Sequence, residues 1–91
     1  MATVVVTLRI MPDSPDADLG AVEKAALAGI SSFGGSFARK EVEPVAFGLN
    51  ALVIMFTMPE ERGGTEELEK SLALIAGVSS VQVTDVRRTV G

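Results

Sequence analysis

Cysteine and histidine are both missing from the 91 residues, and so are tryptophan and tyrosine. Without cysteine there is no disulfide framework, thiolate metal site or thiol nucleophile; without histidine the chain lacks the commonest metal ligand and the usual general base near neutral pH. Serine and threonine hydroxyls have no such base to activate them, and the lysines fall at helix- or strand-like positions, so covalent catalysis is not expected. Positive charge is also scarce. Eight Lys and Arg face 12 Asp and Glu, for a net charge of −4, a poor balance for neutralising phosphates. With four phenylalanines as the whole aromatic complement, a base-stacking RNA platform is a weak candidate. The longest uncharged run, Pro44 to Pro59, has 16 residues and is broken by Gly48 and Asn50, too short for a membrane span. Met1-Ala2-Thr3 passes straight into a strand pattern with no basic leader or signal core, which makes the cytoplasm the expected compartment.

What the chain does have is apolar content, 47% of its residues at a mean hydropathy of +0.38, enough for one small folded domain over residues 1–91. Thr3 to Ile10 alternates, with Val4, Val6, Leu8 and Ile10 on one side, and predicts a half-buried strand. Met11-Pro12-Asp13-Ser14-Pro15 should end it, because prolines remove ladder donors. Asp16 or Asp18 can cap a helix running to Gly29 or Ile30, with Leu19, Val22, Ala26 and Ile30 at helical spacing and small alanines for close packing. Ser31 to Gly35 then reads as a turn, and Ser36 to Val42 as a polar strand suited to a sheet edge. Leu49 to Met58 is the strongest strand, with Leu52, Ile54, Phe56 and Met58 on its core face. Thr65 is an N-cap candidate for a second helix bearing Leu68, Leu72 and Ile75 and stopped by Gly77. Val78 to Val86 alternates as the last strand, leaving residues 87–91 as an expected flexible tail.

The two halves repeat each other: Met11-Pro12-Asp13 corresponds to Met58-Pro59-Glu60, and Glu23-Lys24 to Glu69-Lys70. Two successive βαβ halves predict an α+β domain of the ferredoxin-like type, β-α-β-β-α-β, with a four-stranded antiparallel sheet, both helices on one face and the other face open. Duplication and a shared packing solution account for the repeat equally well.

Few residues in this frame carry chemistry. The acids Asp13-Asp16-Asp18 lack the glycine and terminal Glu of a calcium loop, and Glu60-Glu61 with Glu66-Glu67 suits helix capping, so no metal is expected. Gly34-Gly35 and Gly63-Gly64 match no phosphate-binding fingerprint. Pro44-Val45-Ala46-Phe47-Gly48-Leu49 is the unusual stretch, placing a bulky ring before a glycine between two strands. Phe47 fits a core plug or, if exposed, a protein-binding anchor, with Arg87 and Arg88 either flanking it or solubilising the chain end.

Met11-Pro12, Glu43-Pro44-Val45-Ala46-Phe47-Gly48-Leu49, Gly63-Gly64-Thr65-Glu66 and Val81 to Arg88 together resemble the archaeal type of the translation elongation factor 1-beta family. The resemblance spans essentially the whole chain. It implies a ferredoxin-like fold and guanine-nucleotide exchange on elongation factor 1-alpha, the GTPase that carries aminoacyl-tRNA, with no cofactor, direct nucleic-acid contact or membrane contact. In the related eukaryotic catalytic domain the Phe of the Phe-Gly pair enters an apolar pocket of the GTPase, and that position matches Phe47. Gly48, Leu49, Arg87 and Arg88 complete the partner-binding residues expected on this resemblance. The eukaryotic relative also uses a lysine near its C-terminus against the magnesium and phosphate region; the matching position here is Gly91, so that role does not transfer. Neither arginine occupies the matching position, and an arginine fork differs from a lysine point charge. A small-ligand regulatory domain and a non-catalytic interaction module of the same fold are the alternatives.

Overall fold

The computed structural model describes residues 2–90. Its elements run β1 (Ala2–Pro12), α1 (Leu19–Phe33), β2 (Ser36–Pro44), β3 (Asn50–Pro59), a single 3₁₀ turn (Glu60–Arg62), α2 (Glu66–Ala73) and β4 (Val78–Val90). The strands form one sheet in the order β2-β3-β1-β4, with every adjacent pair antiparallel. Each helix therefore connects two parallel strands separated by a third, which is the split βαβ arrangement of the ferredoxin-like fold.

The alternation in β1 and β3 is realised in register: Val6 lies opposite Phe56, Leu8 opposite Ile54 and Ile10 opposite Leu52. These six side chains, Met58, Val22, Ala26 and Ile30 of α1, and Leu68 and Leu72 of α2 form one buried cluster. Removing each of the larger ones from water contributes about 1.5–3 kcal/mol. Asp18 caps α1, its carboxylate accepting the Ala21 N–H at 3.1 Å. Among the described residues no helix is long and apolar enough to cross a membrane.

Several boundaries differ from the sequence expectation. α1 takes in Ser31, Ser32 and Phe33 and stops at Gly34, whose φ of +101°, with Gly34 N–H bonded to Ser31 O and Gly35 N–H to Ile30 O, makes a Schellman end. β1 continues through Pro12, which pairs with Val78 of β4 across an irregularity after Met11; its pairing with β3 reaches only to Ile10. Proline is tolerated at such strand ends, as Pro44 is at the end of edge strand β2. Thr65 precedes α2, but its hydroxyl donates to Glu69 Oε2 rather than accepting a backbone N–H. α2 ends at Ala73, and Gly77 turns the chain into β4. Arg87 to Val90, expected in a frayed tail, belong to β4 and lie opposite Val5 to Ala2, because β1 supplies an antiparallel template to its first residue. Gly91 lies outside the described residues.

Candidate partner-binding site

The connection from β2 to β3 is built almost entirely by backbone. Val45 N–H donates to Leu49 O and Leu49 N–H to Ala46 O, both at 2.9 Å. The two residues inside this tight loop, Phe47 and Gly48, have φ of +55° and +78°. Left-handed geometry at both central positions is the type I′ hairpin turn, whose twist matches that of the flanking strands. Glycine adopts it freely at the second position. At the first, the turn prefers Asn, Asp or Gly, and a side chain such as Phe costs about 1–2 kcal/mol there. Among the described residues Phe47 is the only non-glycine with positive φ.

Its ring is 94% exposed, which excludes the core plug. The turn thus holds a large aromatic in solvent, in a backbone conformation unfavourable to it, with no packing in return. Val45 beside it is also exposed, whereas Leu49 is half-buried and Gly48 faces Pro15 of the β1–α1 loop, where an added Cβ would lie 3.6 Å from Pro15 Cβ. Gly48 and Leu49 therefore shape the turn that carries Phe47. The neighbouring Pro15 was not legible beforehand, since nothing local signals a contact between residues more than thirty positions apart.

Arg87 and Arg88 do not flank Phe47. They lie in β4 opposite Val5 and Val4, which pair in turn with Thr57 and Met58 at the far end of β3. From Met58 back to Asn50 the strand spans about 26 Å, and Phe47 lies beyond that. Both guanidinium groups have partners within the chain: Arg87 Nε bonds Asp85 Oδ2 at 2.8 Å, and Arg88 Nε bonds Glu60 Oε2 at 2.7 Å. Nearby, Arg62 stacks 4.3 Å over the Phe33 ring and donates to Phe33 O, a tie between the 3₁₀ turn and the end of α1.

Phe56, the aromatic on the core face of β3, is fully buried and unavailable for stacking. The surface hollows lined by Gly34, Ser36, Thr57 and Met58, and by Ser32, Phe33, Arg62 and Glu67, are open to solvent. Neither resembles the enclosed apolar pocket of a small-ligand domain. Among the described residues no group of three or more carboxylates is placed to hold a metal ion.

The fold is similar to that in the solution structure of the C-terminal domain of the MgtC protein from Mycobacterium tuberculosis, with a TM-score of 0.58 at 16% identity, covering 98% of this chain and 87% of that one. Sequence similarity reaches further. Elongation factor 1-beta of Methanobrevibacter smithii is 48% identical over 88 residues, and that of Methanothermobacter thermautotrophicus 47% over 88, each alignment covering 97% of this chain and 98% of the relative. The factor from Halobacterium salinarum is 40% identical over 88 residues, covering 97% of this chain and 99% of its own. The family model of the EF-1 guanine nucleotide exchange domain matches residues 5–89, so that the hairpin carrying Phe47 and both helices fall within it, and the chain belongs to that family.

Proposed function

We propose that Phe47 is the anchor through which this chain performs the guanine-nucleotide exchange of its family, inserting into an apolar pocket of elongation factor 1-alpha. The observation that carries this reading is the combination of 94% exposure and positive φ at an aromatic residue. Strain without packing is retained where a site needs it, and a rigid exposed aromatic is the side chain most able to act as a hot spot. Gly48 and Leu49 hold the turn. Arg87 and Arg88 belong to a second contact, and a partner touching both ends must present a surface longer than about 26 Å. No nucleic acid or membrane need be touched, and the action belongs in the cytoplasm, where aminoacyl-tRNA is delivered.

The mechanism is a coupling of two binding equilibria. The factor binds the GTPase more tightly when nucleotide and its magnesium are absent, and by reciprocity its binding weakens nucleotide by the same factor. A coupling of about 3 kcal/mol corresponds to roughly 150-fold. No bond in the nucleotide breaks, so neither a general base nor a nucleophile is required of this chain.

Release of a fluorescent GDP from cognate elongation factor 1-alpha tests the reading. Wild-type protein should accelerate release, and Phe47→Ala should lose on the order of thirty- to a hundredfold of that acceleration, as expected of a hot spot, with an unchanged melting transition. Unaccelerated release with the wild type would reject exchange; full activity in a folded Phe47→Ala would reject the anchor alone.

A further inference from the structure

The end of the molecule that carries Phe47 is built by three segments: residues 10–20, from the end of β1 into α1; residues 42–52, around the hairpin; and residues 73–82, from α2 into β4. They are held together there. Asp13 N–H bonds Gly77 O at 2.9 Å, and Pro15 sits against Gly48. These segments contain four carboxylates, Asp13, Asp16, Asp18 and Glu43, and neither lysine nor arginine. The other eight carboxylates of the chain are matched by its eight Lys and Arg. One of these, Arg9, lies beside Glu43 at this end, so the Phe47 end carries a net −3 of the formal −4.

Glu43 is paired with Arg9 at 3.2 Å. Asp13, Asp16 and Asp18 are exposed and take part in none of the ion pairs among the described residues. Asp18 caps α1, whereas Asp13 and Asp16 flank Pro15, the residue against the Phe47 turn, and have no structural task for their side chains. The molecule is 42 Å long, several times the Debye length of about 8–10 Å at physiological salt. A partner approaching the hairpin thus meets this end's charge, with little compensation from the arginines at the other.

We infer that the Phe47 end docks on a protein surface where an apolar pocket is rimmed by Lys and Arg, and that Asp13 and Asp16 steer the encounter while Phe47 holds the complex. This rests on the anchor reading above and adds the chemistry of the occupant. An exposed ring of itself fits any apolar pocket; the surrounding carboxylates favour a cationic rim and disfavour the acidic surfaces of most soluble proteins, nucleic acids and anionic lipids. Charges at the rim of an interface act mainly on association, and a central aromatic acts mainly on dissociation.

Stopped-flow association with nucleotide-free cognate elongation factor 1-alpha, over a range of salt, tests this. Asp13→Asn/Asp16→Asn should slow association roughly fivefold at low salt and flatten its salt dependence, with dissociation unchanged. Glu66→Gln/Glu67→Gln removes the same charge where α2 begins, at the opposite end, and should leave the rate within about twofold of wild type. Equal slowing by both pairs, or slowing by neither, overturns the inference while leaving exchange intact. Failure of the wild type to bind overturns it together with the anchor reading. Circular dichroism melting of each variant excludes unfolding as the cause.

Discussion

At one end of the sheet an aromatic ring stands in solvent on a backbone bent against its preference, and the chain gives it nothing to touch. At the other, Arg87 and Arg88 lie along a regular strand and each engages a carboxylate of its own chain. Both ends were singled out in the sequence for similar reasons, a bulky ring in one case and adjacent cations in the other. The folded chain separates their meanings. Each arginine has an exposed ion pair within the chain, so its geometry alone does not call for a partner, whereas the placement of Phe47 runs against both burial and local geometry. A residue that the fold does not need, and that strains it, says more about a partner than a charge the fold already uses.

The largest effect in a test of this contrast belongs to Gly35, behind the arginine end. A Cβ there would stand 2.8 Å from Phe56 Cδ2 and 2.9 Å from Ile30 Cγ2, both in the core. Gly35→Ala should lower stability by about 1–3 kcal/mol in urea unfolding, without touching the hairpin. An intermediate effect of opposite sign is expected at the tip. Phe47→Asn gives the turn the Asn-Gly pair it prefers and should raise stability by about 1 kcal/mol, or about 4–8 °C in melting temperature. Exchange should fall as far as in Phe47→Ala; unchanged stability would mean that the left-handed turn carries no strain. The smallest effect is that of Arg88→Ala, which breaks an exposed pair to Glu60 and should change stability by less than about 1 kcal/mol. A larger loss would make that end a structural clamp.

Much of the frame was legible because periodicity reports burial directly. Alternation in β1 and β3 marked the face on which Val6, Leu8, Ile10, Leu52, Ile54, Phe56 and Met58 are buried, and the spacing of Val22, Ala26 and Ile30 marked the buried stripe of α1. Polar β2 was assigned to an edge, where it lies. The ends of elements were less legible. Pro12 and Pro44 look like strand breakers until pairing shows them at strand ends, and Ser31-Ser32-Phe33 looks like a turn until Gly34 and Gly35 are seen to close a Schellman end. At the site, the sequence offered Phe47 as plug or anchor and could not choose, since Phe is commonly buried. Nor could it show that Arg87 and Arg88 lie far from Phe47, because that separation is set by the register of three strands.

The acidic collar has a consequence for the free protein. An uncovered benzyl group is ordinarily a glue spot, ready to cluster with its own kind. Two copies meeting tip to tip would bring the six carboxylates of Asp13, Asp16 and Asp18 into one contact, and mutual repulsion opposes such pairing. The ring can thus stay uncovered in a crowded solution without the molecules sticking to one another.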